Sequence, residues 1–251
     1  METGYEEFSY YYDELTENVH YADRAVYFNR LIQKHIQSKG NVLLDLACGT
    51  GTMTTEMAKL GYDVIGVDYS CGMLCQAMDK KIAAGLDILY VNQDMRALEL
   101  YGTVDAAICT LDSLNHLENL EEVGEVFARV AAHMEQGGVF VFDMNTLYKH
   151  RVMLGENVYV YETEDVYCVW ENALQDDKCT VEITLQFFEK ENDGRYRRKQ
   201  ERMVERAYTP EQIQEKLKTA GLVTLGIYDS DSEEPLKPDS QRMVVIARKE
   251  G

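Results

Sequence analysis

Between residues 41 and 146, short apolar runs alternate with stretches of helical periodicity. The runs at 41–46 (NVLLDL), 63–67, 86–91, 104–110 and 139–144 have the length and composition of buried strands. Between them, 52–60, 70–84 and 118–134 place apolar residues three and four apart, with Met73, Leu74, Ala77 and Met78 on one face and Val123, Val126, Phe127 and Val130 on another. An earlier helix is predicted over 22–37, carried by Phe28, Leu31, Ile32, His35 and Ile36 and stopped by Gly40. Gly137-Gly138 is expected to break the 118–134 helix. Strands alternating with helices of this length imply a parallel sheet covered on both faces.

The pattern changes after residue 150. The runs 159–170, 178–188 and 195–206 are rich in β-formers, and Asn192-Asp193-Gly194 is a hairpin-type turn. They predict an antiparallel insert. Thr209-Pro210 then opens a helix that runs to Ala220. Two further strands follow, 222–228 and 242–248, joined by a polar linker too short for a crossover helix, so they should be antiparallel neighbours. The expected architecture is α/β: a doubly wound, seven-stranded, mostly parallel sheet with one reversed strand at its edge, plus a small antiparallel β insert. The divisions are 1–150 for an N-terminal helix and core, 151–206 for the insert, and 207–251 for the end of the core sheet.

Composition narrows the function. The 251 residues carry 25 basic and 44 acidic groups, a net charge of −19, which repels phosphate backbones and anionic membranes. Nucleic acid is therefore an unfavoured partner. No apolar run approaches the roughly 20 residues needed to cross a bilayer. The acidic, aromatic N-terminus is unlike a targeting peptide, so a cytoplasmic location is expected. None of the six cysteines forms a CxxC pair or a Cys/His zinc spacing, and no metal site is expected.

In a doubly wound sheet, ligands bind beyond the carboxyl ends of the strands, where strand order reverses. A distinctive residue stands at each of those ends. Asp45-Leu46-Ala47-Cys48-Gly49-Thr50-Gly51 follows the first strand, and its glycines allow close backbone approach to a ligand. Asp68, seventeen residues past Gly51, follows the second, where a carboxylate can accept both hydroxyls of a ribose. Asn92-Gln93-Asp94-Met95 follows the third. There a carboxylate can accept from an adenine amino group and a methionine can pack on a purine face. A glycine-bearing turn or a strand-end acid is alone a common structural feature; their joint occurrence in register is not.

The segments VLLDLACGTG (42–51), GVDYS (66–70), NQDMRAL (92–98) and GGVFVFDMNT (137–146) resemble the motifs of class I S-adenosylmethionine-dependent methyltransferases. A bacterial subgroup with a Tyr-rich N-terminal helix and a β-insert after strand five is especially similar. The resemblance implies S-adenosyl-L-methionine as cofactor and methyl transfer to a small-molecule acceptor. An RNA methyltransferase, or a cofactor-binding sensor or assembly factor without turnover, is the alternative. It further implies that Gly49 and Gly51 approach the methionine part of the cofactor, that Ala47 and Cys48 bind the cofactor beside them, and that Asp45 orients the loop or binds the cofactor amine through water. Asp68 would hold the ribose hydroxyls, Met73 and Met95 flank adenine, Asp94 bind its amino group, and Tyr69 and Leu111 also bind the cofactor. A dinucleotide enzyme fits less well: its third small residue is here Thr54, and it has no role for Asp94.

The acceptor side is expected around 109–117 (CTLDSLNHL). There Asp112, Ser113 and Asn115 can contact cofactor or acceptor and His116 can act as a base, with a structural or capping role the competing reading for His116. Asp143 and Asn145 should face the same crevice or cap the next segment. In the resembling proteins an N-terminal helix covers the cofactor and a Tyr of a Tyr-Asp pair lies near it, which here is Tyr12-Asp13. Tyr21 is a second candidate among Tyr5, Phe8, Tyr10, Tyr11, Tyr12, Tyr21 and Tyr27, most of which would simply pack a helix face. In the insert, Arg195, Arg197, Arg198, Lys199, Arg202 and Arg206 could recognise an anion. Ten basic against thirteen acidic residues over 147–206 instead favour a salt-bridged, solvated face. Trp170, Tyr159, Tyr161 and Tyr167 would line a lid over the substrate or pack the insert on the sheet.

Overall fold

The computed structural model describes residues 8–250. Among these, the core is built from strands β1 (Val42–Leu46), β2 (Asp63–Asp68), β3 (Leu89–Asn92), β4 (Val104–Cys109), β5 (Met134–Asn145), β10 (Leu222–Asp229) and β11 (Arg242–Lys249). The helices are α1 (Phe8–Leu15), α2 (Tyr21–His35), α3 (Thr52–Lys59), α4 (Cys71–Ala84), α5 (Leu120–His133) and α6 (Pro210–Thr219). Local chemistry sets their starts. The Asn119 side chain accepts from Glu122 N at 2.9 Å, and Thr209 and Gln212 form a reciprocal capping box with Pro210 in the first turn.

The seven core strands lie in the order β10-β11-β5-β4-β1-β2-β3. β1 to β5 are parallel, and β11 runs antiparallel to both β5 and β10. The expected doubly wound sheet with a reversed strand is therefore what forms. Strand order turns back between β1 and β4, opening a crevice at their carboxyl ends. Period-two alternation sends successive β5 residues to opposite cores. Phe140 and Phe142 pack with Phe127 on the α5/α6 side, while Val139 and Val141 join Phe28, Leu31, Ile32 and Met57 on the α2/α3 side.

The insert is a separate antiparallel sheet of β6 (Val158–Glu162), β7 (Val166–Leu174), β8 (Thr180–Lys190) and β9 (Tyr196–Arg206), in that order. Its inner face, with Val181, Ile183, Leu185, Phe187 and Cys168, packs against Met73 of α4 and against Tyr11 and Tyr12 of α1.

Several boundaries differ from expectation. The run 159–170 is two strands rather than one, because Thr163 closes a tight turn: its N donates to Val166 O at 2.9 Å and its hydroxyl accepts from Val166 N at 3.2 Å. Gly137-Gly138 does not end α5, which stops at His133. The pair lies inside β5, where the register with β4 shifts. A six-residue π-helical turn, Lys149–Leu154, links β5 to the insert and was not anticipated.

Candidate active site

The half of the crevice beyond β1–β3 is assembled by one carboxylate. Asp68, the last residue of β2, accepts from Gly49 N at 2.8 Å through Oδ2 and from Ser70 N at 2.9 Å through Oδ1. The loop after β1 is thereby tied to the end of β2. Burial raises the Asp68 pKa, against the lowering effect of these amides. Each oxygen keeps a lone pair for a further donor.

A cavity of about 300 Å³ opens here. Of the residues singled out in the sequence, it is lined by Ala47, Gly49, Asp68, Tyr69, Met73, Asp94, Met95, Leu111, His116 and Tyr12, with Ser113 beside them. Gly49 adopts φ +55°, and a Cβ built on it would meet no atom within 4 Å. It is a positive-φ backbone facing open space, which suits close approach of a ligand. Asp94 caps the short turn that follows β3, accepting from Arg96 N at 2.8 Å, and is ion-paired to the Arg96 guanidinium at 2.6 Å. That hydrogen bonding lowers its pKa.

Six candidates are not on the cavity wall. Gly51 is required for packing: it has φ +74°, and a Cβ there would collide with Tyr90 Oη and Ala77. Cys48 is buried, its N donating to Val67 O at 3.0 Å. Asp45 lies buried behind the loop, with Thr54 Oγ1 donating to Oδ2 at 2.6 Å and Oδ1 without a partner. Burial pushes its pKa up to about 7, against the Thr54 hydrogen bond and assisted by the Asp68 charge. The Tyr21 hydroxyl donates to Thr16 at 3.3 Å. Asn115 is fully buried and spent on backbone: Nδ2 donates to Asn145 O at 3.2 Å and Arg206 O at 2.9 Å, and Oδ1 accepts from Asn145 N at 2.9 Å. Asp112 is ion-paired with Arg242 at 2.6 Å.

The half of the crevice around the 111–116 turn is held by Asp143, at the end of β5 and fully buried. Leu111 and Asp112 take consecutive left-handed conformations, φ +57° and +55°, which cost L-residues energy. Asp143 stabilises them by accepting from Leu111 N at 2.7 Å and Asp112 N at 3.3 Å. Its charge is met by Arg24 at 3.0 Å and by Arg242. Burial works against the Arg242 charge, but Asp112 and Asp143 outweigh it and raise its pKa.

The turn they fix presents His116 to the cavity. Behind it stands Glu205 of β9, a residue the sequence reading did not single out, with Oε1 3.9 Å from His116 Nε2. Asp112, His116 and Glu205 have a metal-ligating composition. Asp112 is already paired with the Arg242 guanidinium, and a second imidazole, His150, lies 3.3 Å from Glu205.

Above the glycine loop, Asp13 of α1 accepts from Thr50 Oγ1 at 2.7 Å and pairs with Lys80 of α4 at 2.6 Å. This clasp seats Tyr12 over the cavity. Tyr5 lies outside the described residues, as do the side chains of Phe8 and Tyr10. In the insert, Trp170 and Tyr159 pack against its core, whereas Tyr161 and Tyr167 are exposed. Arg195, Arg197 and Lys199 pair with Asp193, Glu191 and Glu189. The sequence reading also missed Glu118 and Glu122, which line the cavity from the approach to α5 and its first turn. The signal was available, since that helix starts at the same end of the sheet as the 109–117 turn.

Residues 43–138 match a family model described as a methyltransferase domain. The structure of an S-adenosylmethionine-dependent methyltransferase from Clostridium acetobutylicum ATCC 824 superposes with a TM-score of 0.88 at 30% identity, covering 99% of this chain and 100% of that one. A protein of Geobacillus sp. (strain WCH70) that bears a methyltransferase name is 29% identical over 98% of this chain and 99% of its own. The dTDP-3-amino-3,4,6-trideoxy-alpha-D-glucopyranose N,N-dimethyltransferase of Streptomyces venezuelae is 36% identical over 40% of this chain and 41% of its own.

Proposed function

Because the chain belongs to the class I S-adenosylmethionine-dependent methyltransferases, we propose that it methylates a small-molecule acceptor held between the 111–116 turn, α1 and the insert. The observation that carries this reading is the charge on the cavity wall. Asp94, Glu118 and Glu122 stand there with one guanidinium, Arg96, and that guanidinium is already paired with Asp94 at 2.6 Å and Glu122 at 3.4 Å. Such a wall repels a phosphodiester chain and admits a neutral or amine-bearing molecule. The amino-sugar methyltransferase among the relatives supports the same class.

S-adenosylmethionine supplies a methyl group on a sulfonium, and the departing thioether is neutral, so no acid is needed. The chain's task is to position and to exclude water. Asp68 accepts the ribose hydroxyls while keeping the loop amides, Asp94 accepts from the adenine amino group, and Met73 and Met95 pack its faces. Gly49 admits the methionine moiety, and the unpartnered Asp45 Oδ1 is an acceptor for a donor arriving beside the loop. Tyr12 closes the cavity from above. His116 takes the proton that the acceptor loses.

The test is release of S-adenosylhomocysteine when the protein and S-adenosylmethionine meet a panel of amines, including amino sugars, carboxylic acids and deproteinised tRNA. Turnover with a small amine is expected. Turnover confined to RNA, with salt-sensitive affinity, would reverse the assignment, and tight cofactor binding with no product from any acceptor would replace it with a sensor.

A further inference from the structure

A second cavity, of about 480 Å³, lies beside the turn that follows β5, and Lys149, Asp229, Lys237, Asp239, Ser240 and Arg242 line it. Its donors outnumber the acceptors that could use them. The Lys149 Nζ donates to the neutral amide oxygen of Asn145 at 2.8 Å, and among the described residues no carboxylate pairs with it. An ammonium carries three donors, so two remain. Ser240 is nearly fully buried. Its Oγ accepts from Lys237 N at 2.8 Å, and among the described residues no group accepts its hydrogen. The carboxylates nearby are engaged or lie at the mouth. Asp229 faces Lys237 at 3.9 Å, Asp239 is exposed, and Asp112 and Asp143 are paired with Arg242. Burial and then the Arg242 charge pull the Lys149 pKa down, and the charges of Asp112, Glu205 and Asp143 do not restore it. The arrangement is held in place by one threonine: Thr146 Oγ1 donates to Ser240 O at 2.6 Å and accepts from Lys149 N at 3.1 Å. Lys149 also opens the π-helical turn, a rare conformation frequent at functional sites.

We propose that this cavity is an oxyanion site, taking a carboxylate or phosphate group on the Lys149 ammonium and the Ser240 hydroxyl, with Lys237 at its rim. An oxyanion has several acceptor oxygens and no need to donate, which suits a cluster of unspent donors. A neutral ligand would leave the Lys149 charge without a counterion, and a cation would meet it head-on. Arg242 joins the site to the first cavity: it lines the second, and its guanidinium pairs at 2.6 Å with Asp112, in the turn that presents His116 to the first. A molecule with an amine in one cavity and an acidic group in the other is held at both ends. In that form the inference rests on the methyl-transfer reading, whereas the oxyanion site itself does not. A free phosphate or carboxylate ion offers the same chemistry, and the experiment separates the two sources.

The first arm of the test reads the lysines directly. Protein isotopically labelled at the lysine ε-carbons is titrated near neutral pH with inorganic phosphate and with acetate, ionic strength being held constant with chloride, and followed by NMR. The Lys149 signal, assigned by its loss in Lys149→Gln, should move saturably with the oxyanions and not with chloride. Lys149→Arg gives the same assignment where Lys149→Gln does not fold. In Lys149→Gln the phosphate affinity read from the Lys237 signal should fall about tenfold or more. The second arm compares S-adenosylhomocysteine release from pairs of amines that differ only in a carboxylate or phosphate group. A preference for the acid-bearing member that falls about tenfold in Lys149→Gln marks the acceptor as the source. Saturable phosphate binding without that preference marks a free ion. No saturable movement with either ion, together with no preference that Lys149→Gln removes, overturns the inference. So does a phosphate affinity that Lys149→Gln leaves unchanged. Failure to release S-adenosylhomocysteine from any amine counts against the methyl-transfer reading instead, because the ion titration does not depend on turnover.

Discussion

The two halves of the crevice are built on opposite plans. The half proposed to hold the cofactor comes from one stretch of chain, residues 45–95, and its key bonds are local: Asp68 to Gly49 and Ser70, Asp94 to Arg96. The half proposed to hold the acceptor joins distant segments. Asp143 meets Arg24 from α2, Arg242 from β11 and the 111–112 amides, and His116 meets Glu205 from the insert. A half made of local bonds can be kept while the other is rebuilt, which is how one cofactor site can serve different acceptors.

If the acceptor half depends on its long-range charges, Asp143→Ala should produce the largest loss. It leaves two guanidinium groups without their buried partner and frees a turn of two left-handed residues. A destabilisation of about 3–5 kcal/mol is expected from urea unfolding. A loss under about 1 kcal/mol would show that the turn holds itself, and the contrast between the halves would fail.

Asp68→Ala tests the other side. It should weaken S-adenosylmethionine binding by about 1–3 kcal/mol, roughly five- to 150-fold, in isothermal titration. Asp68 and the turn that Asp143 holds lie on different loops, so the two substitutions should act separately: the first on affinity, the second on folding. An unchanged dissociation constant in Asp68→Ala would place the nucleoside elsewhere.

The same division explains what was legible in the sequence. Short apolar strands, a glycine-bearing turn and acids at strand ends recur at fixed offsets, so the sheet and Gly49, Asp68, Asp94 and Met95 could be located by counting, whereas Met73 came only with the family resemblance. Residues whose role depends on a distant partner could not. Asn115 looked like a polar site residue and is instead the fastening between β5 and Arg206. Glu205 looked like one acid in a salt-bridged strand, because only the packing of β9 over the 113–116 turn brings it to His116. Gly51 carries the motif but answers to Ala77 and Tyr90, a tertiary requirement that mimics a ligand-binding one.

The N-terminal clasp belongs to neither plan, and there the smallest effect is expected. Asp13 pairs with Lys80 and accepts from Thr50, but its carboxylate is about two-fifths exposed, so solvent screens the pair. Burial lowers the Lys80 pKa while Asp13 opposes that. Asp13→Asn should cost less than about 1 kcal/mol of global stability. Its signature should be local: faster amide hydrogen exchange in α1 with α3 and α4 unchanged, since the helix is fixed at that point to the glycine loop. S-adenosylmethionine should restore the protection if Tyr12 closes over it. If exchange in α1 ignores both the substitution and the ligand, the helix is not a cover for the site, and the cofactor half is complete without it.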